Sequence, residues 1–144
     1  MRVMIMRGIA GSGKSTFAFK NAPEGMFLVS ADTYMVDENG HYQFSSAKLP
    51  GAHRRCLRAF LDHIQEGHSV VVDNTNTTCA ELAPYVAIAQ AYDYDVEIVT
   101  LVCDPKVAYE RNTHDVPAHT VFEQDRKLRN EQLPPWWRHT VVFV

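Results

Sequence analysis

The eight residues Gly8-Ile9-Ala10-Gly11-Ser12-Gly13-Lys14-Ser15 constrain this chain more than any other stretch. They fill the pattern G-x-x-x-x-G-K-S/T between an apolar run, Val3 to Met6, and a segment of helical periodicity, the strand–loop–helix context that a phosphate-cradling loop requires. Glycines let the backbone curl until successive N–H groups point at phosphate oxygens, and the helix that follows adds its positive dipole end. Gly8, Ala10, Gly11, Ser12 and Gly13 supply that cradle, with Thr16 in the first helical turn. Lys14 reaches the β- and γ-phosphates, and Ser15 offers its hydroxyl to the Mg²⁺ that bridges them. On average residue usage, a chance match in a chain this long has odds of roughly one in two hundred. The stretch therefore implies ATP or GTP together with Mg²⁺.

The rest of the chain supports that context. Short apolar strands alternate with amphipathic helical windows from end to end, which predicts an α/β fold on a parallel sheet. Strands are expected at Arg2 to Arg7, Met26 to Ser30, Ser69 to Asp73, Val96 to Val102 and Thr140 to Phe143. Helices are expected at about Lys14 to Lys20, His53 to Glu66, Ala80 to Ala91, Lys106 to Asn112 and Ala118 to Leu128. Thr78-Cys79-Ala80-Glu81 has capping-box spacing, and Asn39-Gly40 signals a turn between Met35-Val36 and Tyr42-Phe44. The 144 residues are read as one domain, with a substrate-side segment at about 33–51 and a lid at about 111–118. A formal charge of −3 leaves no general basic field to hold a nucleic-acid duplex, so any such contact must be local. No apolar run has the length of a membrane span and no export signal is visible, so a cytoplasmic address is expected. Cys56, Cys79 and Cys103 stand far apart and are read as core thiols.

In open α/β sheets ligands sit beyond the carboxyl ends of the strands, so acidic residues there are candidates for chemistry. Asp32 follows the second strand and suits a general base accepting a proton from an attacking hydroxyl. Asp73 ends the third and suits a Mg²⁺ ligand, direct or through water; its neighbours Asn74-Thr75-Asn76 also suit capping of the next helix.

With Gly-Ser-Gly-Lys-Ser at 11 to 15, Ser30-Ala31-Asp32-Thr33-Tyr34, Asp73-Asn74-Thr75-Asn76 and Arg111-Asn112 before Val116-Pro117, the chain resembles the P-loop kinases related to phage 5′-hydroxyl polynucleotide kinase. The order and spacing agree across nearly its whole length. The resemblance implies a P-loop NTPase fold with sheet order 2-3-1-4-5 and transfer of the γ-phosphate of ATP to a 5′-hydroxyl end of DNA or RNA. It further implies Lys14 and Ser15 on the nucleotide and catalytic roles for Lys14, Asp32 and Arg111. Ser15 and Asp73 are the candidate metal ligands, and Asp32, Tyr34, Met35, Asn74, Asn76, Arg54 and Arg58 the candidate acceptor contacts. Two positions depart from the family. Met35 stands where the family has an arginine on substrate phosphate, and Asp115, beside His114, stands where a second lid arginine falls. Arg126 and Arg129 are candidates to replace that charge.

Weaker signals cluster nearby. Arg54, Arg55 and Arg58 share a helix face that reads either as a single-strand phosphate contact or as a solvated stripe, and His53 starts the same helix. Tyr34, Tyr42 and Phe44 suit either base stacking or local packing; Trp136 and Trp137 suit the core better than an adenine border. Three functions fit: a 5′-hydroxyl nucleic-acid kinase acting on a single-stranded end, a kinase of a nucleoside or other small molecule, and a nucleotide-binding module that acts through a partner.

Overall fold

The structure, a computed structural model, describes residues 1–144. Its centre is a wholly parallel sheet of β1 (Arg2–Arg7), β2 (Phe27–Val29), β3 (Val70–Asp73), β4 (Asp95–Val102) and β5 (His139–Phe143), in the order β2-β3-β1-β4-β5. That is the order the resemblance implies. Five helices connect and flank the strands: α1 (Lys14–Asn21), α2 (Leu49–Gln65), α3 (Cys79–Ala91), α4 (Pro105–Arg111) and α5 (Ala118–Asn130).

Strand periodicity decides which residues meet which helices. Val3 and Ile5 of β1 join Val70, Val72 and Ile98 in a cluster with Cys56, Phe60 and Ile64 of α2 and Leu82, Tyr85 and Val86 of α3. Met4 and Met6 point the other way and pack with Val71, Val99, Leu101 and Ala18 of α1. Both faces are covered, so the central strands are mostly apolar on both faces, with Arg7, Asp73, Glu97 and Thr100 among the polar exceptions. A third cluster, Ile9, Cys103, Ala108, Val116, Val121 and Leu128, seats α4 and α5 beside the phosphate loop.

Two boundaries correct the sequence reading. Helix α2 starts at Leu49, four residues before His53, with Pro50 in its first turn, where a missing backbone donor costs nothing. Partly buried Leu49 and fully buried Ala52 pack on the core and draw the helix back through Gly51. The cap of α3 also differs. Thr78 Oγ1 accepts from the Glu81 N–H at 3.4 Å, but the Glu81 carboxylate accepts from the N–H of Thr77 at 2.7 Å, one residue before the expected partner. The Asn39-Gly40 turn forms as read: Val36 bridges Tyr42, Gly40 has φ +80°, and Asp37 Oδ1 accepts from the N–H groups of Asn39 and His41, both at 2.9 Å. Cys56 and Cys103 are buried, while Cys79 is only half-buried at the start of α3. No helix is long and apolar enough to cross a membrane.

Candidate active site

The phosphate loop leaves β1 at Arg7 and enters α1 at Lys14. Its path depends on backbone that a side chain would spoil. Gly11 has φ +81°, and a Cβ there would lie 1.9 Å from the Ala108 carbonyl oxygen of α4; Gly13, at φ +96°, turns the chain into the helix. The Gly8 N–H donates to the Thr75 carbonyl at 2.9 Å, which fastens the loop to the end of β3.

Parallel pairing sets Met6 of β1 opposite Asp73 of β3, and so the last residue of β3 stands beside the loop. There the Ser15 hydroxyl donates to Asp73 Oδ2 at 2.6 Å. The Asp73 side chain is held from water, with only 8% of the residue exposed. The Lys14 ammonium has no hydrogen-bonded carboxylate and donates instead to the Ile9 carbonyl of its own loop, at 2.9 Å. Burial holds its pKa below the ordinary lysine value, and the charges of Asp73 and Asp32 partly offset that pull. Ser12 Oγ is the one buried side-chain polar atom without a partner. A cradle of backbone donors, an ammonium lacking a counter-ion bond, an orphaned hydroxyl and a serine–aspartate pair fit a polyphosphate with a hard divalent cation. Ser15 and Asp73 would hold the metal.

Opposite this wall lies Asp32, in a short 3₁₀ turn at Ala31–Tyr34 after β2. Ser30 caps the turn by accepting from the Asp32 N–H at 3.2 Å. Asn74, one residue beyond Asp73, fixes the turn further by accepting from the Ala31 N–H at 2.8 Å. The Asp32 carboxylate is half-exposed and has two neighbours from distant segments. Tyr42 donates to Oδ1 at 3.4 Å, and His114 Nδ1 lies 3.3 Å from Oδ2. The rings of Tyr42 and His114 stack at 4.1 Å, so lid and turn meet across Asp32. Burial and the adjacent carboxylate push the Tyr42 phenol up, which keeps it a hydrogen-bond donor. Asn112 shapes the lid, accepting from the His114 N–H at 3.1 Å and donating to the Val116 carbonyl at 2.8 Å.

The two walls enclose a cleft of about 720 Å³, within the usual range for a small-ligand site. Lys14, Ser15, Thr16, Asp32, Asp73 and Arg111 line it. So do Ala10, Gly11, Gly13, Tyr42, Phe44 and His53. Arg111 is exposed, with Nη2 donating to Cys103 Sγ at 3.1 Å.

Several residues expected at the acceptor fall elsewhere. Met35 has no exposed surface and is a core residue, because the bridge between Val36 and Tyr42 folds it inward. Asn76 is 2% exposed, with φ 47°, and spends its amide on the Met6 carbonyl at 2.9 Å; it shapes the loop after β3. Tyr34 packs against the core under Arg55, whose guanidinium lies 4.3 Å from the ring centre. Arg54 and Arg58 are exposed and do not line the cleft. Arg126 pairs with Glu123, which lines the cleft, and Arg129 with Asp125; neither arginine itself lines the cleft, so neither stands where the absent lid arginine would. Trp137 packs on the core, but Trp136 is 78% exposed.

Sequence reasoning missed two supports. Gln124 of α5 accepts from the Ala10 N–H at 2.9 Å, tying the helix after the lid to the phosphate loop. Arg7, 3% exposed, donates to the carbonyls of Asn76, Thr77 and Leu128 at 3.1, 2.8 and 3.1 Å, and to Thr100 Oγ1 at 3.3 Å. A charged residue after the apolar run Val3 to Met6, beside the glycines, was the available signal.

Sheet order, loop and flanking aspartates together define a P-loop kinase-like α/β protein. The chain belongs to the AAA domain family, whose model matches residues 3–127. Human NEDD4-binding protein 2 is 34% identical over 125 residues, covering 79% of this chain, which spans only 7% of that protein's length. A gluconokinase from Sinorhizobium meliloti 1021 superposes with TM-score 0.68 at 21% identity, over 99% of this chain and 82% of the other. A chain of the Pnkp1/Rnl/Hen1 RNA repair complex gives 0.71 at 19% identity, over 89% of this chain and 44% of the other. At these identities the two solved structures share the fold.

Proposed function

We propose that the protein is an ATP- and Mg²⁺-dependent phosphotransferase whose acceptor is the 5′-hydroxyl of a DNA or RNA end. The observation that carries this reading is the half-exposed Asp32 carboxylate across the cleft from Lys14 and the Ser15–Asp73 pair. On this reading the loop N–H groups and Lys14 hold the phosphates of ATP, and Ser15 and Asp73 would hold a Mg²⁺ that would supply positive charge to them. Asp32 orients the acceptor hydroxyl and takes its proton as the bond to the γ-phosphorus forms and ADP departs. Arg111 brings positive charge to the cleft, and His114 offers a ring nitrogen beside Asp32. Tyr42, Phe44 and His53 offer faces on which a terminal base stacks. The similarity in fold to a chain of an RNA repair complex supports the same acceptor class.

A second acceptor class is favoured by one specific observation: Arg54 and Arg58 face away from the cleft and Met35 is buried, so no basic track leads into the site. A nucleoside or other small hydroxyl compound needs none, and the shared fold with a gluconokinase supports that alternative. Transfer of labelled γ-phosphate from ATP to 5′-hydroxyl oligonucleotides, with nucleosides and gluconate in parallel, separates the two. Labelled oligonucleotide is the expected result; label confined to small molecules overturns the 5′-end reading, and no label on any acceptor overturns both.

A further inference from the structure

At the end of the sheet remote from Asp73, α2 closes in a turn that brings two histidines face to face. The Gly67 N–H donates to the Ile64 carbonyl at 3.1 Å and the His68 N–H to the His63 carbonyl at 3.0 Å, with Gly67 at φ +79°. This pair of bonds is a Schellman motif, whose geometry presses together the side chains at the positions of His63 and His68. Helices usually place apolar residues there. Here two imidazoles meet nitrogen to nitrogen, His63 Nδ1 3.1 Å from His68 Nδ1. Glu66 lies between them in sequence, and its Oε2 is 3.5 Å from the same His68 nitrogen.

We propose that His63, His68 and Glu66 form a binding site for a borderline transition-metal dication, of which Zn²⁺ is the type. Tetrahedral zinc with nitrogen ligands at about 2.0–2.1 Å sets those ligands about 3.3 Å apart, close to the separation the turn already imposes on the two imidazoles. All three ligand atoms lie within 4.8 Å of one another, and Glu66 is exposed and free to close the remaining edge. A fourth position stays open to water. Two imidazoles select zinc, nickel or copper over magnesium and calcium, which take oxygen ligands.

The ring positions are held from behind. Phe27 of β2 stacks on both imidazoles, with centroid distances of 4.6 Å to His63 and 4.3 Å to His68. The buried Tyr94 hydroxyl lies 2.9 Å from the His68 carbonyl and 3.3 Å from that of Ile64, anchoring the turn's backbone. A metal at this point would clasp the end of α2 to the approach to β3, against the edge strand. It is a structural site, at the other end of β3 from the phosphate loop.

Equilibrium dialysis of the intact protein against micromolar ZnCl₂ in Mg²⁺-free buffer tests the assignment. Uptake of one zinc per chain, weakened at least tenfold in His63→Gln and in His68→Gln and retained in Asp73→Asn, is the expected pattern. No uptake by the wild type, or uptake unchanged in the histidine variants, would reduce the pair to a hydrogen-bonded contact and overturn the proposal. Should a histidine variant misfold by circular dichroism, the electron paramagnetic resonance spectrum of one equivalent of Cu²⁺ on the wild type decides. Coupling to two imidazole nitrogens supports the site; oxygen-only ligation, or loss of nitrogen coupling in Asp73→Asn alone, contradicts it.

Discussion

On the phosphate-loop wall the Ser15 hydroxyl, at the start of α1, meets the buried Asp73 carboxylate at 2.6 Å, whereas on the opposite wall the nearest polar neighbours of the Asp32 carboxylate stand at 3.3 and 3.4 Å on partly exposed segments. The first contact is imposed by backbone: parallel register sets Asp73 beside the loop, and two left-handed glycines steer the loop into α1. The second is assembled by side chains from the turn after β2, the isolated bridge at Tyr42 and the segment at His114. On the proposed function, one wall is a fixed receptor for phosphate and the other a set of parts that the acceptor helps to close. Kinases gain from such a division, because a rigid donor site holds the nucleotide while an adjustable wall admits the hydroxyl and excludes water.

The comparison breaks most readily at Gly11. Alanine there meets the Ala108 carbonyl at 1.9 Å in a left-handed conformation, so the loop must move as a whole. Gly11→Ala is expected to abolish nucleotide binding, measured by calorimetry, and with it all phosphoryl transfer. Arg7→Met comes next. It leaves three buried carbonyls without their donor and should cost about 3 kcal/mol of stability in urea unfolding.

Smaller effects are expected across the cleft. His114→Ala removes a partly exposed partner of Asp32, worth about 0.5–1 kcal/mol, and should lower the transfer rate about three- to fivefold while nucleotide affinity holds. Arg54→Ala combined with Arg58→Ala should change oligonucleotide labelling by no more than about twofold, since both side chains are exposed and off the cleft. A larger loss would restore the helix stripe as an acceptor contact.

The same division governs what was legible in the sequence. Gly8 to Ser15, and Asp73 at the end of an apolar run, are local signals, because backbone conformation and strand position carry their meaning. Asp32 was legible for the same reason. Met35 was not: its neighbours read as a loop, and only the bridge from Val36 to Tyr42 shows that the chain turns its side chain into the core. Asn76 was a candidate acceptor contact, yet a left-handed backbone and a bond to the Met6 carbonyl make it scaffold. Contacts joining residues 82 apart, such as Asp32 with His114, leave no pattern in one sequence, and neither does the bond from Gln124 to Ala10. The sheet was read almost to the residue, because alternation and apolar runs are themselves the physics of a strand covered on both faces.

The central claim is that the phosphate-loop wall binds nucleotide by itself and Asp32 supplies the chemistry. Measuring ATP affinity and the single-turnover transfer rate side by side for wild type and Asp32→Asn tests it most directly. The account predicts ATP affinity unchanged within about threefold and a transfer rate lower by about 10²–10⁴. Transfer that survives the substitution, or ATP binding that collapses with it, would contradict the account.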